Sequence, residues 1–216
     1  MKKFVSNISV ERRRDDISLE EFQRHWLDPH GPMTSKLPGT RFYVQNHVVF
    51  SRGTNALARK LRIDGFAQLA YDSLEARTAA YDSPELKACN LDSPLFVGAV
   101  SRVVTESEGT QPASEENLSK AIVVVPRRSP SASKTAPTPS TAALLKRFPG
   151  VQKYIEHKII EQAGPPQSKV PCLGLQVDMI LELWFKNDDD LVACAEKREL
   201  EEDNIAIFHV KTYQFV

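Results

Sequence analysis

The sequence predicts an α+β protein in which one β-α-β-β-α-β unit occurs twice. The first observation is an internal repeat. Leu37–Val49 aligns without a gap with Phe148–Ile160 at an offset of 111 residues, and the Pro, Gly and Tyr are identical. Asp64–Tyr71 and Asp178–Phe185 align at an offset of 114, and the three extra residues belong in the intervening loop. A chance match of two Pro-Gly turns is the alternative to a true duplication.

The second observation is the order of elements in the first half. Ser18 begins a capping box, and the apolar stripe that follows it ends at Trp26. Pro29 disfavours helical geometry at the residue before it, so we expect this helix to end near Leu27. The remaining elements of this half are predicted strands over Lys3–Arg12, Arg41–Phe50, Ile63–Tyr71 and Leu95–Val104, and a helix from Ser73 to about Tyr81.

The second half predicts the same order of elements. Such a unit is the ferredoxin-like motif, whose four-stranded antiparallel sheet carries helices on one face only. The bare face must be buried, and a second copy of the sheet is the obvious partner, which gives a pseudo-dimeric α+β barrel. We expect a first unit over 1–107, a linker over 108–119 and a second unit over 120–216. Its elements are Lys120–Val125, Thr141–Phe148, Lys153–Ile160, Val177–Phe185, Asp189–Arg198 and Ala206–Val216.

Composition excludes several classes of function. The 28 Lys and Arg residues balance 28 Asp and Glu residues, so the surplus of cations that a sequence-independent nucleic-acid binder needs is missing. No apolar run approaches the ~20 residues that span a bilayer, so we expect no membrane partner. Cys89, Cys172 and Cys194 are odd in number and lack metal-site spacing, which favours free thiols and a cytoplasmic location.

The strand over 41–50 places three polar side chains on one face. Tyr43, Gln45 and His47 share one parity, and the other face is largely apolar. Polar side chains in an apolar interior are costly unless they are satisfied or used, so we expect this face to look into the barrel and to line a ligand cavity. A satisfied core network is the alternative. In the second half the matching residues are Tyr154, Glu156 and Lys158.

Two of these side chains suit catalysis. The unperturbed pKa of about 6.5 makes His47 a candidate general acid or base, and the alternative is a buried neutral histidine with a structural hydrogen bond. Tyr43 could donate to a substrate oxygen as negative charge develops, although its recurrence as Tyr154 also admits a role in the fold.

Other residues are candidates for contacts with a substrate. The Gln45 amide could hold a substrate, and Trp26, Phe66 and Phe96 could line a pocket for a planar apolar compound, although such aromatics are more often core. We predict no metal site, because no pair of ligands occurs at a rigid spacing.

The first half also carries a family likeness. Phe22–Pro32, followed by Leu37–Gly39 and Tyr43–His47, resembles the EthD family of dimeric α+β barrel proteins, and Asp64–Ala67 and Asp82–Glu85 extend the likeness over residues 1–105. The second half resembles a degenerate repeat. It has no match to Trp26 or His30, and a Pro-rich segment over 126–141 stands where that helix should begin.

The resemblance implies an activity and further site residues. Members include a methylmuconolactone isomerase and fungal polyketide dehydratases, which implies proton transfer without a metal or organic cofactor. His30 and His47 resemble the catalytic histidines of isomerase-like members. Without the resemblance, His30 would be read as interacting with the helix C-terminus.

The predicted function is therefore isomerisation, dehydration, enolisation or a monooxygenase-like reaction on a small hydrophobic carbonyl, lactone or phenolic metabolite. The alternatives are a non-catalytic binding or accessory protein of a degradation pathway and, ranked lower, a heme-binding barrel. A homodimer through other surfaces is compatible with either reading.

Overall fold

A closed barrel of eight strands forms the centre of the computed structural model, which describes residues 3–108, 117–127, 138–163 and 168–216. Residues 109–116 of the predicted linker and residues 128–137 of the Pro-rich segment lie outside the described residues. The strands are β1 (Lys3–Arg13), β2 (Phe42–Val48), β3 (Gly65–Tyr71), β4 (Val97–Glu108), β5 (Ser119–Pro126), β6 (Val151–Ala163), β7 (Val177–Phe185) and β8 (Ala206–Gln214).

Helices cover the outside of this barrel unequally. Ser18 and Ser73 cap α1 and α4 as the sequence predicts. Among the described residues, no helix is long and apolar enough to cross a membrane. The helices are α1 (Leu19–His25), α2 (Gly31–Thr34), α3 (Ala56–Leu61), α4 (Leu74–Tyr81), α5 (Pro84–Asp92), α6 (Thr141–Leu145), α7 (Asp188–Ala195) and α8 (Arg198–Glu202).

The strand order confirms the predicted pair of ferredoxin-like units. The order around the barrel is β1-β3-β2-β8-β5-β7-β6-β4, so each unit contributes four adjacent antiparallel strands. Two seams close the barrel between the units. In one, β2 pairs with β8 from Val44 opposite Gln214 to Val48 opposite Val210. In the other, β4 pairs with β6. The chain is therefore a pseudo-dimer that folds within one polypeptide.

The predicted direction of the two faces of β2 is wrong. Val48 packs with Ile122 and Phe208 of the second unit, so the even-numbered side chains point into the barrel. Tyr43 packs with Phe22 of α1, so the odd-numbered side chains lie under the helices. Every residue of β2 is buried, because one face is covered by the other sheet and the opposite face by helices. Alternation therefore separates the faces without showing which one points inward.

The outer face of β6 differs from the matching face of β2. The described helix just before it, α6, has five residues, and the even-numbered side chains from 152 to 160 are exposed. Tyr154 is 48% exposed. The predicted shared cavity face of Tyr154, Glu156 and Lys158 is therefore wrong, because these side chains face solvent.

The first helix does not stop near Leu27. A π-helical turn over Trp26–His30 follows α1 directly, and the Gly31 N–H donates to the Trp26 carbonyl. This wider turn accommodates Pro29, which has no N–H to donate. The helix then continues as α2. Its continuation makes His30 part of the helical layer and buries it, instead of leaving it on a loop.

A network of buried polar side chains joins the two units inside the barrel. Lys120 Nζ lies 2.5 Å from Glu182 Oε2 and donates to Asn46 Oδ1 at 2.9 Å. His157 Nε2 donates to Glu182 Oε1 at 2.7 Å, and Ser107 Oγ lies 2.8 Å from His157 Nδ1. Burial alone would raise the pKa of Glu182, but the Lys120 charge and the His157 hydrogen bond outweigh it and lower that pKa. Glu182 is therefore a paired carboxylate.

We expect Glu182→Gln to lower the free energy of unfolding by about 3–5 kcal/mol, because the substitution leaves the Lys120 charge buried without its partner. Urea denaturation at pH 7 measures this change. The matched control is Glu156→Gln on the exposed face of β6, for which we expect a change within about 0.5 kcal/mol. Equal stability of the two variants would contradict the assigned role of the network.

Candidate functional site

A cavity of about 80 Å³ lies between the helices and the outer face of the first sheet. One water needs about 10–15 Å³ measured in this way, so the cavity accommodates several waters. Trp26 and Leu37 supply apolar wall. The polar and titratable side chains that line it include Ser9, Glu11, His30, Thr34, Tyr43, Tyr81, Cys89 and Arg102.

His30 is the histidine at this cavity. The π turn places it opposite the end of α5, where its Nδ1 donates to Asp92 Oδ2 at 2.8 Å. His25 Nε2 lies 3.1 Å from the other oxygen of Asp92. The hydrogen bond from His30 is the main cause that lowers the pKa of Asp92, against an opposing effect of burial. The carboxylate therefore fixes the ring of His30 and leaves Nε2 as the nitrogen that can accept a proton.

Tyr43 brings a neutral hydroxyl to the same cavity. Gln45 Nε2 donates to Tyr43 Oη at 2.7 Å, so the hydroxyl accepts this hydrogen bond and keeps its own proton to donate. Burial raises the pKa of Tyr43 well above its ordinary value. The ring stacks on Phe215 with 5.0 Å between centroids. Tyr43 is thus a fixed hydrogen-bond donor that stays protonated at physiological pH.

Gln45 and His47 do not line the cavity. Both ends of the Gln45 amide have hydrogen-bond partners within the protein. Its Nε2 also donates to the Trp26 carbonyl at 2.8 Å, and its Oε1 accepts from His47 Nε2 at 2.8 Å. The His47 ring stacks on Trp26 at 4.5 Å with an interplanar angle of 8°. Burial, followed by the charge of Lys211, lowers the pKa of His47 to about 3. This geometry is the satisfied core network that was the alternative to a catalytic His47.

The three aromatic candidates lie in different places. Trp26 is buried and lines the cavity, and it packs so closely on Gly65 that a side chain there would overlap the indole. Phe96 packs against the His30 ring at 4.9 Å and lies outside the set of residues that line the cavity. Phe66 points into the barrel and meets Phe208 edge-on at 5.1 Å. Only Trp26 of the three therefore contacts the cavity.

Sequence reasoning missed Glu11. Its side chain lines the cavity, is 9% exposed, and has a buried Oε2 without a hydrogen-bond partner. Burial raises its pKa to about 8. The one sequence signal is alternation in β1, where Asn7, Ser9 and Glu11 share a face opposite Ile8 and Val10. That pattern is equally typical of a solvent-exposed face.

Within the described ranges, no group of three or more His, Cys, Asp and Glu side chains could hold a metal ion. The site is thus described by its proton-carrying groups: a histidine–aspartate pair, a tyrosine and a buried glutamate.

Residues 14–99 match the family model described as the EthD domain. Over these residues the first unit is similar to the EthD family. This match covers the π turn, β2 and α5, and therefore His30, Tyr43 and Asp92, whereas Glu11 lies just before it. The family resemblance carried by Phe22–Pro32 is thereby confirmed for the first unit.

Solved structures extend the likeness to the whole barrel. An EthD family protein from Bacillus halodurans C-125 is 23% identical with a TM-score of 0.39, over 50% of this chain and 99% of that one. An anthrone oxidase-like protein is 11% identical with a TM-score of 0.61, over 99% and 94%. A candidate monooxygenase from Lactobacillus acidophilus NCFM is 8% identical with a TM-score of 0.50, over 99% and 96%. At these identities the likeness shows the fold alone, and no curated protein gives a significant match.

We expect the His47 ring in the first unit to stay neutral between pH 8 and about 4.5, because its folded pKa of about 3 lies below the ordinary 6.5. The unfolded chain then binds the extra proton, so stability falls as pH drops from about 6.5 toward 3. Histidine NMR measures the titration, and His47→Gln assigns the resonance. A His47 resonance that titrates near pH 6.5 would contradict this placement.

Proposed function

We propose that this protein is an enzyme that moves protons on a small hydrophobic carbonyl, lactone or phenolic compound, and that the cavity of the first unit is its active site. The observation that carries the proposal is the His30–Asp92 pair at a cavity that Tyr43 also lines. The anthrone oxidase-like structure is named for an aromatic ketone, which belongs to the same chemical class.

In this mechanism His30 is the general base. Its Nδ1–H donates to Asp92, so the neutral ring has its lone pair on Nε2, which takes a proton from the carbon beside a carbonyl group or from a phenolic hydroxyl. The Asp92 carboxylate stabilises the imidazolium that forms. Because His47 is hydrogen-bonded to Gln45 and lies outside the cavity, it is assigned a structural role instead of a catalytic one.

Tyr43 stabilises the negative charge that the lost proton leaves on the substrate oxygen. Its hydroxyl accepts from Gln45 and donates its own proton toward the cavity, so it is oriented before a substrate binds. Gln45 is in turn held by the Trp26 carbonyl at the start of the π turn. Gln45 is therefore a positioning residue, and Trp26 and Leu37 form the apolar wall that keeps out bulk water.

We expect the protein to exchange the α-protons of cyclohexanone or of α-angelica lactone, a β,γ-unsaturated five-membered lactone, for deuterium in D₂O. Proton NMR follows the loss of signal. His30→Asn removes the base and should lower the rate by about 10²–10⁴. Asp92→Asn should also lower the rate, because an amide cannot stabilise the imidazolium.

The control is His209→Asn, since His209 lies on β8 and does not line the cavity. Its exchange rate should equal that of the wild type. Exchange at the wild-type rate in His30→Asn would overturn the mechanism. Saturable binding of the lactone without exchange in the wild type would instead support the non-catalytic binding protein.

A further inference from the structure

We propose that Glu11 is a second catalytic residue of the cavity, a neutral carboxylic acid that donates a proton to the oxygen of an enolisable ketone or lactone. This inference rests on the proposed function and narrows its substrate class. It begins from the position of the side chain. Glu11 lies on β1 between Gly65 of β3 and Val100 of β4, and it lines the same cavity as His30 and Tyr43.

The Glu11 carboxyl lacks the partners that buried carboxylates normally have. The residue is 9% exposed, and its Oε2 makes no hydrogen bond. Arg13, two residues along the strand, forms its ion pair with Asp64 instead. Arg102 of β4 lies with its guanidinium 5.9 Å from the centroid of the Tyr81 ring.

Within the described part of the chain, no Lys, Arg or His nitrogen forms an ion pair with the Glu11 carboxyl within 4 Å. The titratable groups that face the cavity are Tyr43 from β2, Tyr81 from α4, Cys89 from α5, His30 from the π turn and Arg102 from β4. Burial raises the pKa of Tyr43, Tyr81 and Cys89.

Ionisation would thus bury a carboxylate that has no ion pair, which is costly. Burial accordingly raises the pKa of Glu11 to about 8, so the carboxyl retains its proton at neutral pH. A protonated carboxyl is a hydrogen-bond donor as well as an acceptor. Together with the Tyr43 hydroxyl it gives the cavity two neutral donors for one oxygen.

The proposed step balances as follows. His30 Nε2 takes the α-proton, the C–H electron pair becomes a C=C bond, and the carbonyl π pair moves to oxygen, which takes the proton of Glu11. The products are an enol, a Glu11 carboxylate and a His30 imidazolium. Return of the proton from the enol hydroxyl to Glu11, and of the His30 proton to carbon, completes the exchange or isomerisation without an oxidant or a reductant.

The first test is independent of activity. Infrared difference spectra between pH 6 and pH 9.5 should show loss of the carbonyl stretch of one protonated carboxyl with a midpoint near pH 8, and Glu11→Gln should abolish that change. The matched control, Glu156→Gln, alters an exposed carboxylate and should leave the change intact. Absence of a carboxylic acid band at pH 6 in the folded wild type would overturn the inference.

The second test uses the deuterium exchange of cyclohexanone. The wild-type rate should fall as pH rises through about 8, because Glu11 loses its proton. Glu11→Gln should be about 10²–10⁴ slower at pH 7 and should lack this alkaline fall. The free energy of unfolding of the wild type should also decrease as pH rises from about 4.5 through 8, and Glu11→Gln should lack that decrease. The same unfolding measurement shows whether a slow variant is folded.

The two proposals fail in different ways. If the wild type exchanges protons and Glu11→Gln matches its rate and pH profile, Glu11 has no catalytic role and the proposed function stands on His30 and Asp92. If the wild type exchanges nothing, the proposed function fails, and the catalytic role of Glu11 fails with it, whatever the infrared spectrum shows.

Discussion

The whole structure depends on the two seams that close the barrel, β2 against β8 and β4 against β6. A four-stranded ferredoxin-like sheet has one bare face, and closure buries that face against its own repeat within one chain. Both faces of the first sheet are then buried, one by the second unit and one by α1, α2, α4 and α5. The candidate site follows from the second of these layers, because the cavity lies where those helices do not completely fill the space above the sheet.

The duplication confines this cavity to one unit. The first unit keeps a helix extended by the π turn, which aligns His30 with Asp92 and presents the Trp26 carbonyl to Gln45. Among the described residues, the second unit keeps the strands and has the five-residue α6 at the matching place. Tyr154 is exposed where Tyr43 is buried. The second repeat therefore completes the barrel of the first and contributes Lys120, His157 and Glu182 to its interior.

The sequence was sufficient for the order of the strands and for the duplication, because periodicity and the offset of 111 residues are local patterns. It did not predict α3 or α5, and α5 carries Asp92. It was insufficient for the direction of β2. Alternation places Tyr43 and Val44 on opposite faces of β2. Because both faces are buried, the direction of each side chain depends on whether its contacts lie in the helices or in the second sheet. Gln45 donates to the Trp26 carbonyl, which lies in a π turn beyond the point where Pro29 was expected to end the helix. His30 was identified by family resemblance, and its partner Asp92 lies 62 residues away.

Two buried glutamates show why the chemistry of the site is beyond reach of the sequence. Glu182 has Lys120 and His157 beside it, and its pKa is lowered; Glu11 has neither, and its pKa is raised. Both glutamates alternate with apolar residues on a strand, so the local sequence pattern does not distinguish their environments. The difference lies in strands distant in sequence, since Lys120 on β5 forms an ion pair with Glu182, whereas the described residues form none with Glu11. The paired charge fixes the barrel, whereas the unpaired carboxyl keeps a proton that it can give to an oxygen and recover, which is what acid–base chemistry in this cavity requires.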